Sequence, residues 1–381
     1  MLRIVTIGGK LQGLEVAYLG KEAGFEVIII DKNPHAPASK LCSDFICADI
    51  TSPARELKDY LKTADMIIPA LENDETLEFI VKLCDELKIK QKLAFDLDAY
   101  KISSSKIASD LLFHKNNMPA PRYYPGGNYP YIAKPSGESG SHGVVKLESE
   151  DDLKALPAEN KNKYVIQEFL EGPSYSVEII GRPGNYRTYI LTEILVDDGY
   201  DCNSVTVRRD VDEVADERIR GLAVDIAEMI SLKGIMDLEV ILCDGQVKIL
   251  EIDARFPSQT PIVVFHASGM NYIKELFDII VKGDFQDTQR DAGLYGTLIH
   301  YLIDQGSYAS LGEHIMVEGD PLEYTYDITD HATVLSDHMS NKDIWRCTFI
   351  YAAKTSEELA SKEEGILNDL NKFLAHNRDT V

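Results

Sequence analysis

The chain has 381 residues, of which 44% are hydrophobic, and it carries a formal net charge of −24 at pH 7. Its length exceeds what one ordinary core needs, so we expect roughly two to four domains, and its hydrophobic content argues against a disordered chain. The charge excludes a nucleic-acid partner, because phosphate backbones require a basic stripe and none is visible. It is compatible with cationic small-molecule substrates.

The start of the sequence predicts neither a secretion signal nor a membrane anchor. A strand begins at Arg3 without a basic and apolar leader before it, and the longest apolar runs are too short to span a membrane. We therefore expect a cytoplasmic protein that works without a membrane, either as a monomer or as a homodimer. Six scattered cysteines without a C-x-x-C pair predict reduced thiols and no zinc site.

Strands and helices alternate over the first hundred residues. The apolar runs at 3–8, 26–31 and 66–71 predict strands, and the segments at 14–24, 53–62 and 76–88 predict helices. Strands that are apolar throughout and separated by crossover helices are typical of a parallel sheet covered on both faces. We therefore predict a Rossmann-like domain over residues 1–100.

The pattern changes after a helix predicted at 106–117, which three serines at 103–105 can cap. Short strands between 131 and 180 predict a small α+β unit, a helix follows at 214–232, and Asp244-Gly245 predicts the turn of a hairpin. The last hundred residues mix short strands with a helix at 356–374. The fold class is therefore α/β plus α+β, and we place the later domains at 101–175, 176–285 and 286–381.

Three acidic residues lie on the strands of this hairpin, namely Glu239, Glu251 and Asp253. Residues two apart on a strand share a face, so Glu251 and Asp253 project together, and regular pairing about the turn places Glu239 near residue 250. Concentrated carboxylates repel one another unless a cation holds them, and hard oxygen ligands suit Mg²⁺. A solvated strand face is the alternative. Arg255 favours the metal site, because a guanidinium beside a metal suits a transferring phosphoryl group.

Two further segments have the composition of a nucleotide site. Residues 134–144 (KPSGESGSHGV) place Lys134 before a glycine- and serine-rich loop whose backbone N–H groups can wrap phosphate oxygens. The spacing matches neither the P-loop nor the dinucleotide motif, and an ordinary loop is the alternative. Residues 165–172 (VIQEFLEG) end a strand in acidic residues and glycine, which can present backbone groups to adenine.

In this order the segments resemble the ATP-grasp superfamily over about residues 1 to 285. The resemblance implies a ligase that uses ATP and Mg²⁺ to join a carboxylate to an amine, with a Rossmann-like sheet, a small flap domain and a mixed C-terminal region. It implies that Glu239, Glu251 and Asp253 bind the metal and that Lys134 and Arg255 act in catalysis. The ATP contacts that it implies are Lys106, Lys134, Ser141, Gln167, Glu168, Phe169, Leu170 and Glu171.

The sequence departs from the superfamily pattern at two positions. Asp253 stands where an asparagine is usual, which adds negative charge at the metal. The glutamate that often follows the hinge glycine is absent around Pro173, which moves the expected ribose contact to Glu171.

Over its whole length the chain is also similar to the ligase family of pyrrolysine biosynthesis. That resemblance implies that ATP phosphorylates the carboxylate of 3-methyl-D-ornithine and that the ε-amine of L-lysine then attacks. Arg255 and Ser258 would steady the substrate carboxylate and its acyl phosphate, and Glu178 and Asp237 are candidate ammonium contacts. Both attacking groups belong to substrates, so no side chain needs to act as a nucleophile.

The first strand leads into a glycine-rich loop at 8–13 (GGKLQG). This is nearly a dinucleotide fingerprint, but Lys10 stands where a glycine should admit pyrophosphate. A purely structural turn is one interpretation. Our hypothesis is that this mouth binds the amine substrate, with Lys10 on its α-carboxylate and Glu72 on its α-ammonium. A nucleotide is the alternative occupant, and it would contact Leu11, Gln12, Asp31, Asp49 and Ile50.

Other functions stay open on the sequence alone. Within the ligases they are a D-alanine–D-alanine ligase and a carboxylase that uses bicarbonate. Outside them they are an NAD-dependent oxidoreductase and a nucleotide-binding regulatory module without catalysis.

Overall fold

The computed structural model describes residues 1–52, 54–138, 140–156, 163–285, 293–338 and 343–378. Its strands, β1 to β18 in chain order, are Arg3–Ile7, Glu26–Asp31, Asp44–Cys47, Met66–Pro69, Tyr131–Pro135, Val145–Leu147, Tyr164–Glu168, Ser174–Arg182, Asn185–Thr188, Thr192–Val196, Cys202–Val207, Gly234–Cys243, Gln246–Asp253, Tyr295–Asp304, Ser307–Ser310, Glu323–Thr325, Thr333–Ser336 and Ile344–Ala353. Its α-helices, α1 to α11, are Leu11–Glu22, Arg55–Thr63, Asp74–Glu86, Leu97–Ser103, Lys106–Lys115, Glu150–Ala155, Glu213–Met229, Thr260–Ser268, Tyr272–Leu276, His314–Val317 and Ser356–Arg378. None of the helices in these ranges combines the length and apolar character that crossing a bilayer requires.

The N-terminal strands form a four-stranded sheet in the order β3-β2-β1-β4. All three pairings are parallel, which confirms the predicted Rossmann-like sheet. Strand β3 was not predicted, because it is only four residues long and its side chains are half-buried or exposed. The carboxyl ends of β1, β2 and β4 share one edge of the sheet, and ligands of parallel sheets lie at that edge.

A smaller antiparallel sheet of three strands, in the order β6-β5-β7, follows in the chain. Its buried side chains are few, namely Tyr131, Ala133, Leu147 and Leu156. Helix α6 packs beside it and begins with a capping box in which Ser149 and Asp152 bond each other's backbone N–H groups. We call this sheet, together with the glycine-rich loop that joins β5 to β6, the flap.

Most of the remaining chain contributes to one large sheet with the strand order β13-β12-β8-β10-β11-β14-β18-β17-β16. The predicted segments 176–285 and 286–381 share this sheet, because β11 pairs with β14. Helix α7 packs on one face of it and buries Ile219, Leu222 and Ile226 against Leu238 and Val240. The other face of β12 and β13 is therefore free to carry polar groups.

The hairpin of β12 and β13 contains a one-residue β-bulge. Val240 pairs with Ile249, but Glu239 pairs with Glu251, so Leu250 is an extra residue on β13. The expectation that Glu239 lies near residue 250 was therefore wrong by one position. The difference matters, because residues directly opposite each other share a face. Without the bulge Glu239 would pair with Leu250. The side chains of Glu239 and Glu251 would then point to opposite faces of the sheet.

The hinge between the flap and the large sheet depends on Gly172. Its φ angle is +154°, and a Cβ atom there would lie 2.1 Å from the carbonyl oxygen of Leu242. The substitution Gly172→Ala should therefore lower stability by roughly 3 kcal/mol, since backbone strain adds to a clash with rigid backbone. Thermal unfolding of the variant measures this as a fall in Tm.

The matched control is Gly184→Ala. Gly184 also has a positive φ angle, +80°, but no atom lies within 4 Å of the added Cβ. The substitution Gly184→Ala should lower stability by only about 1–2 kcal/mol, the cost of holding a residue with a Cβ atom in a left-handed backbone conformation. Equal losses of Tm in the two variants would contradict the steric role of Gly172.

Candidate active site

Two carboxylate pairs form the floor of the site on the large sheet. Asp237 lies opposite Asp253, and Glu239 lies opposite Glu251. Strand β8 extends the same face, because Ser176 pairs with Glu239 and Glu178 pairs with Asp237. Alternation along β12 sends Leu238 and Val240 into the core on the opposite face. The sheet thus presents a compact acidic surface on one side only.

A cleft lies above this floor. Its walls are formed by residues between Lys106 and Glu313, which come from all three predicted segments after residue 100. Residues that line it include Lys106, Lys134, Gly140, Ser141, His142, Ser176, Cys202, Asp237, Glu239, Glu251, Asp253, Arg255, Ser258 and Glu313. The structure thus brings together both predicted lysines, all three predicted metal ligands, Ser141, Arg255, Ser258 and Asp237.

The acidic floor attracts positive charge. Burial and the neighbouring Glu251 and Asp253 raise the pKa of Glu239 to about 7. Burial also raises the pKa of Asp253 to about 7, with Arg255 opposing the shift and Glu251 adding to it. Like charges that are held together in this way are stable when a cation neutralises them, and three carboxylates form an oxygen donor set that suits Mg²⁺. The residues present therefore fit the metal that the superfamily implies.

Two lysines face the carboxylates from the flap side. Ser105 caps helix α5 by accepting a hydrogen bond from the N–H of Ala108, which holds Lys106 in the first turn. The Nζ atom of Lys106 lies 2.5 Å from Oε1 of Glu251 and donates to the carbonyl oxygen of Glu138 at 2.8 Å. Burial lowers the pKa of Lys134, although Glu251 opposes this. Both ammonium groups are placed to meet phosphate oxygens.

Arg255 connects the floor to the N-terminal sheet. Its guanidinium lies 2.9 Å from Oε1 of Glu72 and 3.1 Å from Oδ2 of Asp253. Gln12 donates to the same Oε1 atom of Glu72 at 2.8 Å. Burial acts to lower the pKa of Arg255, but Asp253 and Glu72 outweigh it and raise the pKa above its ordinary value. Glu72, predicted to bind an ammonium group, thus already pairs with a cation of the protein.

The flap contacts the turn between β10 and β11. Ser141, with a φ angle of +54°, donates its hydroxyl hydrogen to the carbonyl oxygen of Tyr200 at 2.6 Å. The flap residue that was predicted to cover phosphates therefore rests on the opposite wall of the cleft.

The predicted adenine segment lies outside the residues that line this cleft. Gln167 donates to Asp110 at 2.9 Å, and Glu168 accepts from the backbone N and the Nε atom of Arg122 at 2.9 and 2.8 Å. Lys146 lies 4.5 Å from the centre of the Phe169 ring. Leu170 and Glu171 follow directly before the hinge glycine. These contacts fix the end of β7 beside the cleft, and the adenine role of the segment stays a prediction.

The glycine-rich loop of the N-terminal sheet has structural reasons for its composition. A Cβ atom on Gly9 would lie 2.8 Å from that of Ala36, and one on Gly13 would lie 2.2 Å from the carbonyl oxygen of Gly8. Asp31 accepts from the backbone N–H of Gly9 at 2.7 Å. The interpretation as a structural turn therefore accounts for these residues.

The other predicted residues of that mouth lie apart from the main cleft. Lys10 is exposed at the start of α1, and Ile50 is buried. Leu11 lines a smaller cavity. Asp49 accepts from the backbone N and the hydroxyl of Thr51 at 2.9 and 2.7 Å. Gln12 and Glu72 are connected to the main cleft through Arg255, and the cavity beside Leu11 shares Ser258, Gln259 and Glu313 with that cleft.

Glu178 is fully buried on the same face of the sheet as Asp237, where the first residues of α8 and α9 cover it. It accepts hydrogen bonds from the hydroxyls of Thr260 and Tyr272, the latter at 2.9 Å. It does not line the cleft. Its predicted contact with a substrate ammonium therefore has no direct support in this arrangement.

Ser176 and Glu313 are among the cleft residues that the sequence reasoning missed. Ser176 lies opposite Glu239, and strand alternation along β8 is the signal that would have found it. Glu313 comes from the C-terminal region, where no motif marks it. Its carboxylate accepts from Nε2 of Gln259 at 2.9 Å.

The chain is similar to known proteins over most of its length. A family model for an ATP-grasp domain matches residues 103–259. The chain is 36% identical over 325 residues to the 3-methyl-D-ornithine–L-lysine ligase of Methanosarcina mazei, which covers 85% of this chain and 84% of that protein. It is 33% identical to the enzyme of the same name from Methanosarcina barkeri, over 86% and 87% of the two chains. The chain belongs to the 3-methyl-D-ornithine–L-lysine ligase family.

The family has the fold that the sequence predicted. The crystal structure of N5-carboxyaminoimidazole ribonucleotide synthetase from Thermotoga maritima superimposes with a TM-score of 0.67 at 20% identity, over 95% of this chain and 97% of that one. The predicted resemblance to ATP-grasp ligases is thus confirmed, and the oxidoreductase alternative no longer applies.

The buried carboxyl group of Glu178 should make the stability of the fold depend on pH. Burial raises its pKa to about 7, while Thr260 and Tyr272 oppose the shift. Below its ordinary pKa the group is protonated whether the chain is folded or unfolded. As the pH rises from the ordinary pKa to about 7, the carboxyl ionises only in the unfolded chain. This lowers the free energy of the unfolded chain alone, so the free energy of unfolding falls. We expect Glu178→Gln to remove roughly 3 kcal/mol of this pH dependence between about pH 4.5 and pH 7.

Thermal unfolding at several pH values measures the effect as the difference in Tm between the variant and the unmodified protein. Glu217→Gln, on the exposed side of α7, is the control. A Tm difference for Glu178→Gln that does not change with pH would contradict the assignment.

The ion pair between Glu72 and Arg255 should affect the binding of an amino-acid substrate. The substitution Glu72→Gln should leave Arg255 held by Asp253 alone and so disturb its orientation. We expect the KM for an amino-acid substrate to rise on the order of tenfold, because charged hydrogen bonds at this position are lost. The KM for ATP should change little, since the groups that we assign to the phosphates, Lys106 and Lys134, keep their neighbour Glu251.

Steady-state kinetics with each substrate varied in turn measures both constants. Glu75→Gln, on the exposed start of α3, is the matched control. Equal increases in the two KM values would show that Glu72 supports the whole site rather than one substrate.

Proposed function

We propose that this chain catalyses the ATP-dependent formation of an amide between the carboxylate of 3-methyl-D-ornithine and the ε-amine of L-lysine, a step of pyrrolysine biosynthesis. The observation that carries the proposal is the convergence of three carboxylates, two lysines and Arg255 in one cleft. This set can activate a carboxylate with ATP, and family membership supports the choice of the two substrates.

The acidic floor is where we place the metal. Glu239, Glu251 and Asp253 would hold Mg²⁺, which when bound neutralises charge on the triphosphate. Lys106 and Lys134 supply further positive charge to the phosphate oxygens. The hydroxyl and amide groups of the flap around Ser141 can close over them.

The chemistry needs positioning more than reactive side chains. The donor carboxylate attacks the γ-phosphorus of ATP, ADP leaves, and an acyl phosphate forms. The lysine amine then attacks the acyl carbon, and inorganic phosphate leaves. Arg255 lies where it can orient the carboxylate and stabilise the acyl phosphate by paired hydrogen bonds. Cys202 lines the same cleft, but burial raises its pKa and keeps it a thiol, so it does not compete as a nucleophile.

The cleft is also suited to cationic substrates. Each amino acid carries two amino groups, and the walls contain Asp237 and Glu313 besides the three carboxylates that we assign to the metal. We place the enzyme in the cytoplasm, where ATP is available and where the six free cysteines stay reduced.

An ADP-release assay tests the proposal. The protein is incubated with ATP, Mg²⁺, a D-ornithine donor and L-lysine, and the amide is identified by mass spectrometry. Parallel reactions contain alanine or bicarbonate instead. We expect ADP and amide in equal amounts with ornithine and lysine only. ADP release with alanine pairs or bicarbonate, and none with ornithine and lysine, would contradict it.

The substitution Glu251→Gln tests the metal site in the same assay. Glu251 pairs with Lys106 and is one of the three carboxylates that would hold the metal, so its loss should reduce kcat by roughly a hundredfold or more. Glu217→Gln should retain the original rate. A Glu251→Gln enzyme that still forms the amide at an undiminished rate would show that the acidic floor does not serve catalysis.

A further inference from the structure

One end of the cleft contains acidic groups that phosphate chemistry does not need. Asp237 on β12 is 7% exposed, and its Oδ1 atom has no hydrogen-bond partner among the described residues. Ser176 on the adjacent strand is 1% exposed, and its hydroxyl likewise has none. Both residues line the cleft. Buried polar atoms normally have partners, so these two point to a polar ligand that approaches from the cleft.

Glu313 lies in the same wall and is firmly held. Its Oε2 atom accepts from Gln259 at 2.9 Å, and its backbone N–H donates to the carbonyl oxygen of Cys202 at 2.9 Å. These contacts fix the carboxylate in place without neutralising it, because each donor is uncharged.

Within the described ranges neither acid belongs to an ion pair. The nearest guanidinium, that of Arg255, is already shared by Glu72 and Asp253. Two acids without an ion-pair partner, one of them with a buried oxygen that accepts no hydrogen bond, make a site for a cation supplied by a ligand.

We propose that Asp237 and Glu313 bind the two amino groups of the acyl donor, so that the enzyme selects a diamino acid over a neutral amino acid of the same length. This inference rests on the proposed function and assigns its donor subsite. Asp237 lies opposite Asp253, which contacts Arg255, so it meets the α-ammonium next to the donor carboxylate. Glu313, from the C-terminal region, meets the side-chain ammonium.

Calorimetric titration tests the proposal without requiring turnover. The protein is loaded with Mg²⁺ and a non-hydrolysable ATP analogue and is titrated with D-ornithine or with D-norvaline, which has the same chain length but no side-chain amine. The unmodified protein should prefer ornithine. Glu313→Gln should weaken ornithine binding roughly ten- to a hundredfold, as expected for a lost charged hydrogen bond, and should leave norvaline binding unchanged.

Asp237→Asn distinguishes the two positions. It should weaken ornithine and norvaline by a similar factor, because both ligands carry an α-ammonium. Glu313→Asp, which keeps the charge, should restore part of the preference for ornithine. Glu318→Gln is the matched control, because this acid follows α10 on the exposed surface and does not line the cleft.

Affinity for the ATP analogue and the Tm report whether each variant is folded. Unchanged ornithine affinity in Glu313→Gln would overturn the proposal, and so would equal losses for ornithine and norvaline with the ATP-analogue affinity intact. The outcome is independent of the ADP-release assay. A protein that prefers ornithine through Glu313 but forms no amide with lysine would refute the proposed reaction and keep the donor subsite.

Discussion

The organisation of this enzyme depends on keeping four carboxylates on one face of two paired strands. Acidic residues directly opposite each other destabilise a sheet, yet Asp237 faces Asp253 and Glu239 faces Glu251. The opposite face compensates, since its apolar side chains are buried against α7. The bulge at Leu250 makes both faces possible, because it shifts the alternation of β13 by one residue. The carboxylates on the acidic face repel one another, and a bound cation would relieve that repulsion.

Each remaining part of the fold supplies a group that this acidic face needs. Helix α5 brings Lys106 to Glu251, and strand β5 places Lys134 beside it. The N-terminal sheet supplies Glu72, which with Asp253 holds Arg255. The C-terminal region adds Glu313. The four predicted segments therefore meet at one electrostatic centre, and none of them contains a complete site alone.

The sequence allowed the local features of this centre to be predicted, because each rests on a short-range pattern. The parallel sheet, the Asp-Gly turn and the three carboxylates follow from alternation and spacing, and Lys134 follows from its place before the glycine-rich loop. Lys106 was implied instead by the resemblance to the ATP-grasp superfamily. The bulge was missed, although a signal for it exists: buried apolar residues on β13 occur at Val247 and Ile249 and then at Ile252, which changes the alternation.

Other features could not be predicted from local patterns. The contact between Glu72 and Arg255 joins residues that follow strands of two different sheets, and the hydrogen bond from Gln259 to Glu313 joins residues 54 positions apart in the sequence. Such contacts depend on how sheets pack, and neither residue carries a local motif. In the N-terminal loop, by contrast, a local pattern is present but does not require a ligand. The GGKLQG segment resembles a binding motif, yet close packing around its glycines explains their presence.

The turn between β10 and β11 connects the flap to the donor end of the cleft. The carbonyl oxygen of Tyr200 accepts from Ser141 of the flap, while Asp197 and Asp201 accept from the backbone N–H groups of Gly312 and His314. Asp197, Asp201 and His314 lie close enough to suggest a metal site, but these hydrogen bonds show that the acids instead fix the loop on either side of Glu313. The contact of the flap at Ser141 and the backbone on either side of Glu313 thus share one turn.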